Sequence, residues 1–238
     1  MHRKNFTHMK EFTLRKYSFG PLGIVGDSNH PVLAEAKKRL DVDEAMPRLI
    51  EACAIVPGDT VIDVGAFIGD TAYPLANAGA SVLAFEPFLD AYTAMLYNTH
   101  GLNVKAMNAP VGNGEWVQYV YECPGPNFGM RRVIPVPEGT AGAVKTFRLN
   151  DLMGPHDHWK AKLIKIDCEG SEIPTLQGAS KLITRDRPFL FIEHYLDGMA
   201  QRGYTAQQLV DTIKGYGYEM EMWGQPPRWD WFCWPKTS

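Results

Sequence analysis

"VIDVGAFIGDT", residues 61–71, runs from an apolar stretch into an acid, then across two spaced glycines to a helix start. Its first part, with Thr60, is a continuous apolar run of the kind buried in a parallel sheet. Asp70, Thr71 and Pro74 suit the first turn of a helix, and Gly79 stops it after "AYPLANAG". "SVLAFE" (81–86) then reads as a second strand, and Pro87 opens a helix through "FLDAYTAMLYNTHG". "NVKAMNA" (103–109) is a third strand. Strand and helix in alternation predict parallel strands joined by helical crossovers, an α/β fold.

In such a sheet a ligand lies beyond the carboxyl ends of the strands, at the segment holding Asp63, Gly65, Ala66, Phe67, Gly69, Asp70 and Thr71. A dinucleotide turn needs a middle glycine where this chain has Phe67, and Asp63 would repel a pyrophosphate. NAD fits poorly. An aspartate suits a cationic ligand, and S-adenosylmethionine carries a sulfonium and an ammonium. Glu86 ends the second strand, close to the ~20-residue separation at which a carboxylate accepts hydrogen bonds from ribose hydroxyls. Taken alone, two glycines after a strand are equally consistent with a tightly packed turn.

Further on, "EWVQYVYE" (115–122) alternates like a strand. "CPGPNFGMRRVIPVPEGTAG" (123–142) is rich in Pro and Gly and is expected to be a long surface loop. "AKLIKIDCEG" is an apolar strand ending in acids, "SEIPTLQGASKLI" a helix, "RPFLFIEHY" a strand and "TAQQLVDTIKGYG" an amphipathic helix. The end, "YEMEMW" and "RWDWFCW", reads as two strands joined by a Pro-containing turn. Upstream, residues 30–53 carry helical periodicity and are expected to form a helical flank.

The chain resembles the FkbM-type family of class I S-adenosylmethionine-dependent methyltransferases. "VIDVGAFIGDTA", "VLAFEPF", "NAPVGNG" and above all "LIKIDCEGSEIPTLQGASKLI" with "RPFLFIEHY" carry the resemblance, over roughly residues 58–222. It implies a Rossmann-like sandwich: a seven-stranded, mostly parallel sheet with a reversed last strand and helices on both faces. By position, Asp63, Gly65 and Gly69 would line the methionine half of the cofactor. Glu86 would hold the ribose, Pro87 and Phe88 would lie beside the adenine, and Asn108 and Ala109 near the base. Residues 1–57 form an N-terminal arm and flank, 58–222 the cofactor-binding core and 223–238 a Trp-rich hairpin strand, within one domain.

Methyl transfer requires an aligned nucleophile and, for a hydroxyl, a group that takes its proton. Asp167, Glu169, Glu193 and His194 end neighbouring strands and are the catalytic candidates. His194 suits a general base because its unperturbed pKa of about 6.5 lies near neutrality. A hydrogen-bonded structural histidine is the alternative. Glu169 could instead accept backbone amides at the following helix start near Ser171. The acids together could hold Mg²⁺, although metal dependence is not favoured. Trp223, Trp229, Trp231 and Trp234 fit hairpin packing better than sugar stacking, and Arg131 and Arg132 a solvated loop pair better than an anion site.

The 238 residues carry a net charge of −3, which does not favour a nucleic-acid partner. Amino methyltransferases of nucleic acid usually show Asn or Asp before Pro-Pro and an aromatic after strand four; this chain has "DCEG" there. No apolar run approaches the ~20 residues of a membrane span, and the start lacks a signal-like apolar core. Four scattered cysteines fit reduced thiols rather than a disulfide scaffold or zinc site. The expectation is a cytoplasmic O-methyltransferase acting on a hydroxyl of a sugar, glycan or secondary metabolite. An N-methyltransferase and a non-catalytic cofactor-binding subunit are the alternatives.

Overall fold

The structure, a computed structural model, describes residues 14–19, 22–27, 45–121, 131–154, 158–225 and 228–237. Its centre is a seven-stranded sheet. β3 (Thr60–Val64), β4 (Ser81–Phe85), β5 (Val104–Met107), β9 (Ala161–Ile166) and β10 (Phe189–Glu193) are joined by β11 (Tyr218–Gln225) and β12 (Arg228–Pro235). The strand order is β11-β12-β10-β9-β3-β4-β5. β10, β9, β3, β4 and β5 pair in parallel, and β12 runs antiparallel to both β10 and β11. The last strand is thus the single reversed one, inserted between its two neighbours. β3, β4, β9 and β10 are largely buried along their length, which explains their apolar runs.

The sheet divides two cores by the two-residue period of its strands. Ile62, Val64, Ile164, Ile166, Leu190 and Ile192 face one side. There they meet α4 (Glu172–Gly178), α5 (Ser180–Asp186) and α7 (Ala206–Gly215) through Ile173, Leu176, Ile183, Leu209 and Ile213. Val61, Leu163 and Phe191 face the other side. They pack with α1 (Ala45–Ala52), α2 (Ala72–Asn77) and α3 (Leu89–Asn98) through Leu49, Leu75 and Met95. A short helix, α6 (Leu196–Gln201), follows β10.

Two expectations need correction, and one element was not foreseen. The Pro/Gly stretch is not all loop: β7 (Arg132–Pro135) lies within it and pairs antiparallel with β6 (Trp116–Val120), which also pairs with β8 (Val144–Lys145). Prolines at an edge strand's end leave the ladder's other bonds intact, so composition concealed a strand. "SEIPTLQGASKLI" is two helices rather than one, broken at Ala179. Gly178, the last residue of the first helix, packs so closely that a Cβ there would lie 1.9 Å from the Gly112 carbonyl oxygen. The N-terminal arm holds a hairpin, β1 (Leu14–Phe19) with β2 (Leu22–Asp27), that had no clear signal. Most of the helical flank expected over residues 30–53 lies outside the described residues; α1 is its described part.

The terminal hairpin is built by its aromatics. Trp223 stacks on Phe232 at 4.5 Å between ring centroids, and the Arg48 guanidinium covers its other face at 3.7 Å. Among the described residues no helix is long and apolar enough to cross a membrane. Cys53, Cys168 and Cys233 are free thiols, and Cys123 lies outside the described residues.

Candidate active site

Two adjacent strand ends, of β3 and β9, carry the centre of the site. In their register Asp63 stands opposite Lys165, so both side chains project from the same face. Lys165 Nζ lies 3.2 Å from Asp63 Oδ1 and 3.5 Å from Asp167 Oδ2, and donates a 2.9 Å hydrogen bond to the Gly65 carbonyl. Asp63 is wholly buried, yet neither of its oxygens accepts a well-aligned hydrogen bond. Burial raises its pKa to about 6 against the pull of Lys165. Burial works against the charge of Lys165 as well, but Asp167, Asp63 and Asp70 outweigh it and hold its pKa above the usual range. The ammonium is a fixed charge.

The turn after β3 is shaped by backbone contacts. Gly65 and Ala66 both donate to the Phe85 carbonyl at 3.0 Å. Gly65 has φ +74°, and a Cβ there would sit 1.7 Å from the Asp167 carbonyl oxygen. Glycine is therefore required by the neighbouring turn, whatever the ligand. Phe67, where a dinucleotide turn has its second glycine, holds φ +48°. It keeps a left-handed conformation that costs a bulky residue about 1–3 kcal/mol. Its amide compensates by donating to Glu86 Oε2 at 2.9 Å. Gly69 closes the turn at φ +87° against Met95 and Thr99, and Asp70 and Thr71 lead into α2.

Glu86 is buried at the end of β4, its Oε1 accepting from the Phe88 amide at 2.8 Å. Burial lifts its pKa to about 7, opposed by these two amide bonds. Each oxygen keeps a lone pair, so two further donors can be received. Asn108 fastens the following turn by donating to the Glu86 and Pro87 carbonyls, both at 2.9 Å, with Ala109 next in the chain. Phe88 is buried beneath Arg131, whose guanidinium lies 4.4 Å over its ring. Arg131 also makes a forked bond to Asp90 at 2.8 and 2.9 Å. It is not a solvated loop residue; Arg132 beside it is half-buried.

At the ends of β9 and β10 the structure gathers the catalytic candidates. Asp167, Glu169 and Glu193 each bring an oxygen within 4.8 Å of the others. Burial, followed by the charges of Asp167, Glu169 and Glu172, pushes Glu193 well above the usual carboxylate range. Glu172, part of the motif that carries the family resemblance but given no role there, takes a helix-start role suggested for Glu169: its Oε1 accepts from the Gly170 amide at 2.9 Å.

His194 stands beside this group, with Trp231 Nε1 donating to its Nδ1 at 3.0 Å. An indole N–H only donates, so Nδ1 must carry a lone pair and the neutral ring holds its proton on Nε2. Burial lowers the pKa of His194 and keeps it neutral. In this arrangement His194 offers an acceptor molecule an N–H donor rather than a base.

The residues present fit S-adenosylmethionine. Asp63 offers a buried carboxylate short of donors, matching an ammonium group, and Glu86 has lone pairs for ribose hydroxyls. The model of the methyltransferase FkbM domain matches residues 63–220. The chain belongs to the FkbM methyltransferase family.

Among solved structures, the methyltransferase FkbM from Methylobacillus flagellatus KT is 17% identical with a TM-score of 0.50. The alignment covers 74% of this chain but 43% of that one, so this chain spans less than half of its neighbour's length. Magnesium protoporphyrin IX methyltransferase from Synechocystis PCC 6803 with bound SAM is 12% identical, TM-score 0.49, covering 89% of this chain and 86% of the other. No curated protein matches the sequence.

Proposed function

We propose that this FkbM-family protein is a cytoplasmic O-methyltransferase acting on a hydroxyl of a sugar, glycan or secondary metabolite. The observation that carries the reading is the carboxyl cluster of Asp167, Glu169 and Glu193, whose oxygens lie within 4.8 Å of one another at the ends of β9 and β10. A buried carboxylate whose proton affinity is raised is a more effective base for a hydroxyl than an ordinary surface acid. Bound S-adenosylmethionine supplies an electrophilic methyl group, and its transfer to oxygen leaves a neutral thioether.

The chain's own groups do the rest. Asp63 holds the cationic end of the cofactor, and Glu86 fixes the ribose. Lys165 holds Asp63 and Asp167 in place through its ammonium group. A carboxylate of this cluster takes the hydroxyl proton as the oxygen–carbon bond forms and the carbon–sulfur bond breaks. His194 donates its Nε2 proton to a neighbouring oxygen of the acceptor. Trp229 and Trp231, half-buried next to His194, present flat faces of the kind on which sugar rings pack.

The test is incubation with methyl-labelled S-adenosylmethionine and separate pools of saccharides, hydroxylated metabolites and amine-bearing peptides, with the product located by mass spectrometry. A methyl group on oxygen is expected, and it should vanish in Asp167→Asn. Label found only on nitrogen would overturn the O-methyl reading and leave the methyltransferase assignment standing.

A further inference from the structure

Beyond base chemistry, the acid cluster has the composition of a metal site. Asp167 and Glu169 come from the turn after β9, and Glu193 is the last residue of β10. The register Ile192–Ile166 places Glu193 and Asp167 one residue further along adjacent rigid strands. The turn bearing Glu169 is fixed from the far side, because α6 packs so closely that a Cβ on Gly170 would lie 2.4 Å from the Gly198 carbonyl carbon. Three carboxylate oxygens within 4.8 Å need only small side-chain rotations to reach the ~3 Å separation of neighbouring ligands on an octahedral Mg²⁺.

A second, independent feature calls for an occupant. Glu193 Oε2 is shielded from solvent and has no hydrogen-bond partner, and so is Oε2 of Glu172, a residue with no exposed surface. Buried oxygens are seldom left unpaired, each costing about 1–3 kcal/mol. Lys165 contributes positive charge here, but it is shared between Asp63 and Asp167. A small cation of higher charge, bringing its own waters, would satisfy what one ammonium does not.

We propose that Asp167, Glu169 and Glu193 form a binding site for a hard divalent cation of the Mg²⁺ or Mn²⁺ class, with Glu172 adding negative charge behind them. The ion's remaining positions face the acceptor and take its hydroxyl together with an adjacent oxygen, which selects substrates with neighbouring oxygen groups. The ion site stands on the carboxylate geometry and the unpartnered oxygens, whatever the acceptor. Its use in acceptor binding rests on the hydroxyl reading above.

The experiment strips the full chain with EDTA and titrates it with Mn²⁺, read by electron paramagnetic resonance, for wild type, Glu169→Gln and Glu193→Gln. Titration of the same samples with S-adenosylhomocysteine shows that each variant retains its fold and cofactor site. One Mn²⁺ per chain, displaced by Mg²⁺ and weakened at least about tenfold in both variants, is expected. No bound Mn²⁺ in wild type, or binding unchanged in both variants, overturns the site. If Mn²⁺ binds but stripped protein methylates a hydroxyl at the loaded rate, the acceptor role falls while the O-methyl reading stands.

Discussion

Lys165 and Asp63 stand opposite each other in adjacent parallel strands, Nζ 3.2 Å from Oδ1, with both side chains buried. The same ammonium reaches Asp167, so one lysine joins the cofactor acid to the acceptor side of the site. Removing it leaves carboxylates buried beside one another. Lys165→Met is expected to destabilise the fold by about 3–5 kcal/mol, the usual cost of an uncompensated buried charge. Asp63→Asn in the same chain should recover part of that loss. A double-mutant cycle in urea checks this, and strictly additive effects would show that the pair is not coupled.

Gly65 gives a steric prediction. Any side chain there meets the Asp167 carbonyl, and the φ of +74° is unfavourable for every residue but glycine. Gly65→Ala should lower stability by about 3 kcal/mol or more, because the β3 and β9 turns must move apart. Circular dichroism melting measures it. A variant as stable as wild type would mean that the two turns do not touch.

Protonation of the cofactor acids sets a pH dependence. Asp63 and Glu86 bind their ligand as carboxylates, with pKa values raised to about 6 and about 7. Affinity for S-adenosylhomocysteine should therefore rise as pH increases through these values and level off above them. Stability of the free protein runs the other way. Glu86 takes a proton more readily folded than unfolded, so its contribution falls between pH 4.5, its ordinary pKa, and about 7. Calorimetry and thermal melts across this window test both signs, and an affinity independent of pH would contradict the first.

The indole of Trp231 dictates the tautomer of His194. Nitrogen-15 spectra of the imidazole should show the proton on Nε2 near neutral pH. In Trp231→Phe both tautomers should be populated, with methyl transfer reduced but S-adenosylhomocysteine binding retained. A proton on Nδ1 in the wild-type protein would restore His194 as a candidate base.

The parallel sheet was legible because its strands are apolar on both faces and its turns carry Gly and Pro at helix boundaries. The residues 60–64 and 81–86 were read nearly to their ends for that reason. Lys165 was visible in "LIKID" but was given no role, since a lysine in an apolar run declares its burial only when the opposite strand is known. Two positions before Asp167, it shares that residue's face by the strand period. Arg131 was misread because local Pro and Gly content says nothing about the ring of Phe88 that it covers. The donor bond to His194 comes from a hairpin 37 residues away, and no local pattern encodes such a contact. The acid trio was named in sequence, but its closeness depends on how β9 and β10 are registered.

The most direct test is calorimetric titration of the protein with S-adenosylhomocysteine, repeated for Asp63→Ala and Glu86→Ala. The expected result is one site per chain with no competing preference for NAD, and affinity reduced by about tenfold or more in each variant, as loss of a hydrogen bond to a charged group implies. Unchanged affinity in both variants, or tighter binding of NAD than of the adenosyl ligand, would contradict the placement of the cofactor at the ends of β3 and β4.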